Sequence, residues 1–250
     1  MCKKTIMVTG ATGGIGEKIC ERIIKNDNKL IIIGRNIKKI KYLIEKLKLI
    51  NLNSSIYSYV VDLYDINTIE KKIEEIYQEH NIIDVVINNA GIGYFSSIQT
   101  IDLSQIQKVM NINFISCYLI TKVALKHMTN TKKKNYQIIN ISSIAGVKGF
   151  EFGSLYNSSK FAIEGFTQAL WYEARKYEIK VCIIRPGLVD TCFFDNRNSF
   201  DNICCALQPD DVAKCVEFVI QQSEYSNISE IVLRPIKSEA QTLFTKMIEK

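Results

Sequence analysis

The chain has 250 residues, of which 47% are hydrophobic and 23% are charged, with 3 prolines and 12 glycines. This balance is typical of a globular domain and excludes collagen-like sequences and proline- or glycine-rich disorder. The net charge of +6 is mildly basic, and no apolar run approaches the roughly 18 residues of a membrane helix. We therefore expect one soluble, cytoplasmic domain over residues 1–250 that binds neither nucleic acid nor membrane.

The 8 cysteines do not follow the spacing of a metal site or of a disulfide framework. No pair is spaced C-x-x-C, and only 2 histidines are present, so we predict no bound metal. Most cysteines lie in apolar runs such as residues 181–184, which favours small buried side chains in a reducing compartment. The neighbouring pair Cys204 and Cys205 is the candidate for an exposed, redox-active exception.

Short β-rich runs alternate with longer segments of helical period along the whole chain. Seven strands separated by helices imply a parallel sheet covered on both faces, that is, an α/β, doubly wound (Rossmann) fold in a single domain. The amphipathic segments Leu103–Met128 and Tyr156–Tyr177 are predicted to be two of the helices. The strands are predicted at Thr5–Thr9, Leu30–Ile33, Ser55–Val61, Asp84–Asn88, Gln137–Ile141, Lys180–Arg185 and Ser229–Leu233.

The first predicted strand ends in a glycine-rich turn, TGATGGIG, at residues 9–16. Gly10, Gly14 and Gly16 would let the backbone turn tightly and approach a pyrophosphate, which rests on the helix N-terminus. An ordinary strand-to-helix turn is the alternative interpretation. The position directly after the first strand favours a dinucleotide-binding turn.

The end of the second strand indicates which dinucleotide binds. An acidic residue there would accept hydrogen bonds from the adenosine ribose, but the chain has Gly34-Arg35. The guanidinium of Arg35 can bind the 2′-phosphate of NADP with forked hydrogen bonds, so we expect NADP(H) to be preferred over NAD(H). A solvent-exposed arginine at a helix start is the alternative.

Tyr156 and Lys160 are placed one helical turn apart, on the same face of a predicted helix. Such a pair could be a surface pair, but Ser143 follows the fifth strand, where the active-site residues of open α/β sheets collect. Residues 88–91 (NNAG) close the fourth strand, and residues 186–191 (PGLVDT) close the sixth, at the same edge of the sheet.

These motifs, in this order and spacing, resemble the short-chain dehydrogenase/reductase family. The resemblance implies that Tyr156 exchanges a proton with the substrate oxygen, that Ser143 polarises this oxygen, and that Lys160 holds the nicotinamide ribose. It also implies that the ammonium of Lys160 and the oxidised nicotinamide lower the tyrosine pKa from about 10 towards neutrality. Asn113 would anchor a water that links Lys160 to solvent, with Asn111 as a competing position and a purely structural amide as another alternative.

Further cofactor contacts are implied by the same resemblance. They include a hydroxyl that contacts the adenosine phosphate, a residue that contacts the adenine, and residues that line the crevice. Other residues contact the pyrophosphate and the nicotinamide carboxamide. In chain order these residues are Thr12, Ile15, Asp62, Asn89, Ala90, Gly91, Pro186, Gly187, Val189 and Thr191.

The segments at residues 208–213 and 227–235 resemble the NADP-dependent 3-hydroxy acid (serine) dehydrogenases of the family. A 3-hydroxy acid or semialdehyde is therefore the expected substrate, with a lid near residues 191–208. Arg197 is the first candidate for binding its carboxylate and Arg185 the second, although either could be a surface or ion-pairing arginine.

Three other expectations remain open. A beta-ketoacyl-acyl carrier protein reductase is an alternative enzyme, and a non-catalytic NADPH-binding sensor or interaction protein is an alternative of another class. The resemblance also implies a homo-oligomer, a tetramer or dimer, built from the long fourth and fifth helices.

Overall fold

The structure is a computed structural model that describes residues 3–131, 133–191, 193 and 205–237. Its seven parallel strands form one sheet in the order β3-β2-β1-β4-β5-β6-β7, which confirms the predicted doubly wound α/β fold. The strand order reverses at β1, so β1 and β4 flank the crevice where such sheets bind ligands. The strands are β1 Thr5–Thr9, β2 Lys29–Gly34, β3 Ile56–Val60, β4 Val85–Asn88, β5 Gln137–Ile141, β6 Lys180–Pro186 and β7 Glu230–Leu233.

Helices cover both faces of the sheet. On one face α1 and α7 pack with α2 against alternate strand residues such as Ile6 and Val8. On the other face α3, α5 and α6 pack against the intervening residues, such as Met7 and Ile31. Strands β1, β2 and β6 are buried along nearly their whole length, as their continuous apolar sequences predict. The helices are α1 Gly14–Lys25, α2 Ile37–Ile50, α3 Ile66–His80, α4 Leu103–Met110, α5 Ser116–Thr129, α6 Ser154–Ala174 and α7 Pro209–Ile220.

The segment predicted as one helix over Leu103–Met128 is divided by a π-helical turn at Asn111–Ile115. Within it the Ser116 N–H bonds to the Asn111 carbonyl, five residues back rather than four. Such wide turns inside a helix are frequent at functional sites because they change the direction of a side chain. Here the turn contains Asn113, whose side chain leaves the helix to contact Ile92.

Cys20, Cys117 and Cys182 are buried and free of disulfides, as predicted, while Cys205 is half-buried. Its neighbour Cys204 lies outside the described residues. Among the helices that the structure describes, none combines the length and apolar character that crossing a membrane requires.

Candidate active site

A crevice of about 1210 Å³ opens at the carboxyl ends of the strands. The glycine-rich turn forms one part of its wall, and Ser143, Tyr156 and Lys160 form another. The structure thus brings together residues that are far apart in the sequence. The crevice wall contains all the predicted cofactor residues: Gly10, Thr12, Gly14, Ile15, Gly16, Arg35, Asp62, Asn89, Ala90, Gly91, Tyr156, Lys160, Pro186, Gly187, Val189 and Thr191.

The glycine-rich turn forms a cradle in which Gly10 and Gly14 leave no room for a side chain. Gly10 has a φ of +62°, which side-chain-bearing residues rarely adopt, and a Cβ there would lie 2.7 Å from Ala90 Cα. A Cβ on Gly14 would lie 2.7 Å from Thr191 Cγ2. Because α1 begins at Gly14, its N-terminal backbone N–H groups face this cradle, and the turn fits a dinucleotide pyrophosphate.

The turn is tied to β4 by residues whose structural role the sequence motifs did not reveal. The Thr9 hydroxyl oxygen accepts hydrogen bonds from the backbone N–H groups of Asn89 (3.0 Å) and Ala90 (3.1 Å). The Asn89 side-chain amide donates to the carbonyls of Thr9 and Gly10, each at 3.1 Å. These bonds fix the two strand ends relative to each other on either side of the crevice.

The wall at the end of β2 carries two cations. Arg35 is exposed directly after the strand, and Lys39 lies in the first turn of the helix that follows. The Asn36 side chain caps this helix by accepting a hydrogen bond from the Lys39 N–H at 3.0 Å. Lys39 thus belongs to the crevice wall beside Arg35.

Tyr156 and Lys160 lie in the first turns of α6 and are both buried. The Lys160 Nζ is 5.9 Å from the centre of the Tyr156 ring and donates a hydrogen bond to the Ile141 carbonyl at 3.0 Å. Burial lowers the pKa of Lys160 to about 8, against the opposing influence of Cys117 and Glu164. The Lys160 ammonium therefore loses its proton at a lower pH than the ammonium of an exposed lysine does.

Burial raises the pKa of Tyr156 to about 12, and a hydrogen bond with Ser143 offsets only part of this effect. The expected decrease towards neutrality is thus not produced by the protein groups themselves, because the desolvation of the phenolate dominates. Tyr156 is a protonated phenol at neutral pH. This protonation state suits a group that donates a proton to a substrate oxygen.

Ser143 follows β5 and is held between two backbone groups. Its hydroxyl oxygen accepts a hydrogen bond from the Ala145 N–H at 3.1 Å, and its O–H lies 3.4 Å from the Pro186 carbonyl oxygen. The hydroxyl thereby faces the crevice beside Tyr156.

Asn113 lies just behind the crevice wall. Its side-chain oxygen accepts a hydrogen bond from the Ile92 N–H at 2.8 Å, and its amide donates to the Ile92 carbonyl (3.0 Å) and to the Ser159 hydroxyl (2.9 Å). The competing Asn111 instead donates to the Tyr64 carbonyl at 3.2 Å, on the exposed side of the turn. Asn113 is the asparagine that contacts the helix carrying Tyr156 and Lys160.

Of the two arginines expected to bind a substrate carboxylate, the structure describes only Arg185. Arg197 lies outside the described residues, as does most of the expected lid. Arg185 is buried and bound by the carboxylates of Glu164 and Glu230. The interpretation of Arg185 as a substrate-binding residue is therefore wrong, and the alternative of an ion-pairing arginine is correct.

Comparisons with known proteins agree with this geometry. The chain is 34% identical to a 3-ketodihydrosphingosine reductase of Bacteroides thetaiotaomicron over 203 residues, which are 79% of this chain and 68% of the relative. It is 29% identical to an uncharacterized oxidoreductase of Staphylococcus aureus strain MRSA252 over 233 residues, 93% of this chain and 97% of the relative.

Solved structures share the fold over nearly the whole chain. A metagenomic short-chain oxidoreductase in complex with NADP superimposes with a TM-score of 0.81 at 25% identity, covering 94% of this chain and 99% of the other. Serine dehydrogenase from Escherichia coli superimposes with a TM-score of 0.78 at 26% identity, covering 92% and 96%. The family model of short chain dehydrogenases matches residues 4–202. Since this match includes the glycine-rich turn, Ser143, Tyr156 and Lys160, the chain belongs to the short-chain dehydrogenase family and is an oxidoreductase of the kind that acts on CH–OH groups.

Proposed function

We propose that the protein interconverts a carbonyl compound and the corresponding alcohol with NADP(H) as the hydride carrier. The observation that carries this proposal is the shared crevice, which has the glycine-rich turn in one wall and Ser143, Tyr156 and Lys160 in another. One bound dinucleotide could then rest its pyrophosphate on α1 while its other end reaches Tyr156.

A reduced nicotinamide held in this crevice would supply a hydride, with its two electrons, to the carbonyl carbon of the substrate. The Tyr156 hydroxyl donates its proton to the carbonyl oxygen, so that the alcohol leaves with one new C–H bond and one new O–H bond. The Ser143 hydroxyl donates a hydrogen bond to the same oxygen and stabilises the negative charge that develops there. The oxidation follows the same path in reverse.

The remaining residues orient the cofactor and return the proton. Lys160 would hold the nicotinamide ribose and, as an ammonium, stabilise the tyrosine phenolate that forms during reduction. Asn113 would position the water through which Lys160 exchanges protons with solvent. Its support is the hydrogen bond to Ser159, the residue next to Lys160 in the chain.

NADP(H) is proposed to be preferred over NAD(H) because Arg35 and Lys39 both line the crevice beyond β2. Two cations there can bind a 2′-phosphate, whereas a ribose without that phosphate offers them no charge. The NADP complexes among the similar structures support this preference.

The substitution Tyr156→Phe tests the chemistry, since it removes the proton donor while it keeps the ring. We expect turnover to fall by about 10²–10⁴-fold in a spectrophotometric NADPH assay, with NADPH binding retained in a fluorescence titration. Tyr172→Phe is the matched control, because Tyr172 is an exposed tyrosine on the same helix. If the unmodified protein oxidised no NADPH with a broad panel of carbonyl compounds, a non-catalytic NADPH-binding protein would be the better interpretation.

The substrate panel follows from the resemblances. Similarity to serine dehydrogenase supports a 3-hydroxy acid or semialdehyde. Similarity to the Bacteroides 3-ketodihydrosphingosine reductase adds 3-ketodihydrosphingosine to the panel. The alternative of a beta-ketoacyl-acyl carrier protein reductase adds beta-ketoacyl thioesters. Arg185 provides no support for a carboxylate-bearing substrate, because its guanidinium is ion-paired with the protein carboxylates of Glu164 and Glu230.

We further propose that the protein is a homo-oligomer that associates through α5 and α6, which overlap the segments predicted as the fourth and fifth helices. These helices expose aromatic rings, and Tyr118 and Phe161 each leave 47% of their surface accessible. Light scattering coupled to gel filtration tests the proposal, and a monomer at micromolar concentration would contradict it.

A further inference from the structure

The part of the crevice beside Tyr156 is lined by phenylalanine rings. The Phe95 and Phe193 rings meet the Tyr156 ring edge-on, at centroid distances of 5.3 and 5.7 Å. Phe150 continues this surface at 6.0 Å from Phe95. We call these three side chains the phenylalanine wall. A group attached to a carbonyl at the Tyr156 hydroxyl would lie against it.

A glycine makes room for this wall. A Cβ on Gly93 would lie 2.8 Å from Cε2 of Phe95 and 2.7 Å from Cε1 of Phe193. The φ of Gly93 is not in the positive range reserved for glycine, so its backbone would tolerate a side chain. What requires a glycine at this position is the space that the two rings occupy.

Backbone and side-chain hydrogen bonds hold the loops that carry the wall. The Ser96 N–H donates to the Phe152 carbonyl at 2.9 Å, which joins the loop of Phe95 to the loop of Phe150. The Asn157 amide on α6 donates to the carbonyls of Ala145 (2.8 Å) and Lys148 (2.9 Å), which fixes the start of the second loop. Because these contacts do not depend on a ligand, the part of the wall formed by Phe95 and Phe150 is organised before any substrate binds.

Several charged residues among those described lie in other parts of the crevice. Arg35 and Lys39 lie beyond β2, and Arg234 lies after β7, next to Gly187. Lys148 and Glu151, which flank Phe150 in the sequence, are exposed and of opposite sign. Of the described side chains, the two rings that pack edge-on against the Tyr156 ring are apolar, and the Lys160 Nζ lies 5.9 Å from the centre of the Tyr156 ring.

We propose that the substrate carries an apolar group, an aliphatic chain or a ring, next to its carbonyl, and that this group packs on the phenylalanine wall. The inference rests on the proposed function, because it assumes that the carbonyl binds at Tyr156. Burial of an apolar chain contributes binding free energy in proportion to its length, whereas a short carboxylate would lose its hydration against the rings.

A homologous series of methyl ketones, from butanone to decanone, tests the inference with the unmodified protein. We expect kcat/KM with NADPH to rise by up to about fourfold for each added methylene, until the chain has covered the wall. Malonate semialdehyde serves as the short carboxylate-bearing comparison, and its kcat/KM should lie below that of the longest ketones.

Gly93→Ala tests the wall itself. Its methyl group would displace the two rings into the space for the substrate, so we expect kcat/KM for decanone to fall by about tenfold or more, while that for butanone changes less than about threefold. Gly165→Ala is the control, because Gly165 is an exposed helix residue with open space at its Cβ.

The outcomes separate this inference from the proposed function. Turnover that does not depend on chain length, or a semialdehyde that outperforms decanone, would overturn the inference and leave the proposed function intact. Equal effects of Gly93→Ala on butanone and decanone would also overturn it. No NADPH oxidation with any of these carbonyl compounds would overturn the proposed function, and the inference with it.

Discussion

The guanidinium of Arg185 is held by the carboxylate of Glu164 in a buried, forked ion pair. Its Nε lies 3.0 and 2.9 Å from the two carboxylate oxygens, and one terminal nitrogen lies 2.8 Å from Oε2. Glu164 also accepts a hydrogen bond from the Ser142 hydroxyl at 2.7 Å. One carboxylate on α6 therefore joins the helix of Tyr156 to the end of β5, just before Ser143, and to the end of β6.

Breaking this pair should destabilise the protein strongly. Arg185→Leu would leave the Glu164 carboxylate buried without its cation, and we expect the free energy of unfolding to fall by about 3–5 kcal/mol. Glu230→Gln is the matched control. This substitution removes the charge of Glu230, which also pairs with Arg185 but has a side chain that is 52% exposed. It should cost less than about 1 kcal/mol. Urea unfolding measures the free energy of unfolding of both variants. Equal losses would contradict the conclusion that Glu164 is the more important partner of Arg185.

The pH dependence of the reduction should report Lys160. Because burial lowers the lysine pKa to about 8, the ammonium is lost as the pH rises through 8 rather than near the usual value of about 10.4. Tyr156, with a pKa of about 12, keeps its proton over this range. We therefore expect kcat/KM for ketone reduction to decline above about pH 8.

Lys160→Arg identifies the group responsible for this decline. The guanidinium stays charged, so the residual activity of the variant should show no decline near pH 8. If the variant kept the same decline, or if the unmodified protein showed none below pH 10, the assignment to Lys160 would be wrong.

Cofactor preference should depend on Arg35. Arg35→Asp would remove the proposed charge-assisted hydrogen bond to the 2′-phosphate, worth about 1.5–3 kcal/mol, and would introduce a carboxylate that can accept hydrogen bonds from the ribose of NADH. We expect the ratio of kcat/KM for NADPH over NADH to fall by about 10- to 100-fold. Lys38→Asp makes the same change of charge on α2, at a residue outside the described crevice wall, and should leave the ratio within about threefold. If both variants changed the ratio equally, the cofactor preference would depend on the overall charge of this surface rather than on Arg35.

Gly10 should tolerate no side chain, in contrast to Gly13 in the same turn. Gly10→Ala combines a φ of +62° with a Cβ 2.7 Å from the Ala90 backbone, so we expect a loss of at least about 2 kcal/mol of stability and weaker NADPH binding. At Gly13 the nearest atom to a Cβ is the Gly10 carbonyl oxygen at 3.4 Å, and Gly13→Ala should cost less than about 1 kcal/mol. Thermal unfolding and NADPH titration of the two variants provide the comparison.

Asn113 and Asn111 should differ in both stability and activity. Asn113→Ala removes three hydrogen bonds and leaves the Ile92 N–H and carbonyl without their partner, at a cost of about 2–4 kcal/mol. With the proton relay disturbed, kcat should fall by about tenfold or more. Asn111→Ala loses one exposed hydrogen bond to Tyr64 and should change stability by less than about 1 kcal/mol. Similar kcat values for the two variants would argue against a relay through Asn113.

Much of the fold follows from local sequence patterns. Strands β1 and β5 occur at the predicted residues, and the other five differ by one position at one or both ends. The apolar runs, the glycines of the first turn and the one-turn spacing of Tyr156 and Lys160 are local features. Their consequences for the backbone are therefore decided within a few residues.

The division of the segment Leu103–Met128 was not predictable in this way. Asn113 has the sequence context of a helix residue, and its special position depends on hydrogen bonds to Ile92 and Ser159, which belong to other parts of the chain. The π-helical turn is therefore a consequence of tertiary contacts, and these also distinguish Asn113 from Asn111.

The sequence by itself determined the class of the fold, the glycine-rich turn and the tyrosine–lysine pair, because short-range periodicity and backbone preferences encode them. Only the tertiary structure decided that Arg185 pairs with Glu164, that Lys39 lines the crevice with Arg35, and that the Phe95 and Phe193 rings contact Tyr156. It also decided the pKa values of Tyr156 and Lys160, since burial sets both. The physical reason is common to all of these: partners and solvent exposure depend on how distant segments pack, and no local pattern in the sequence records that packing.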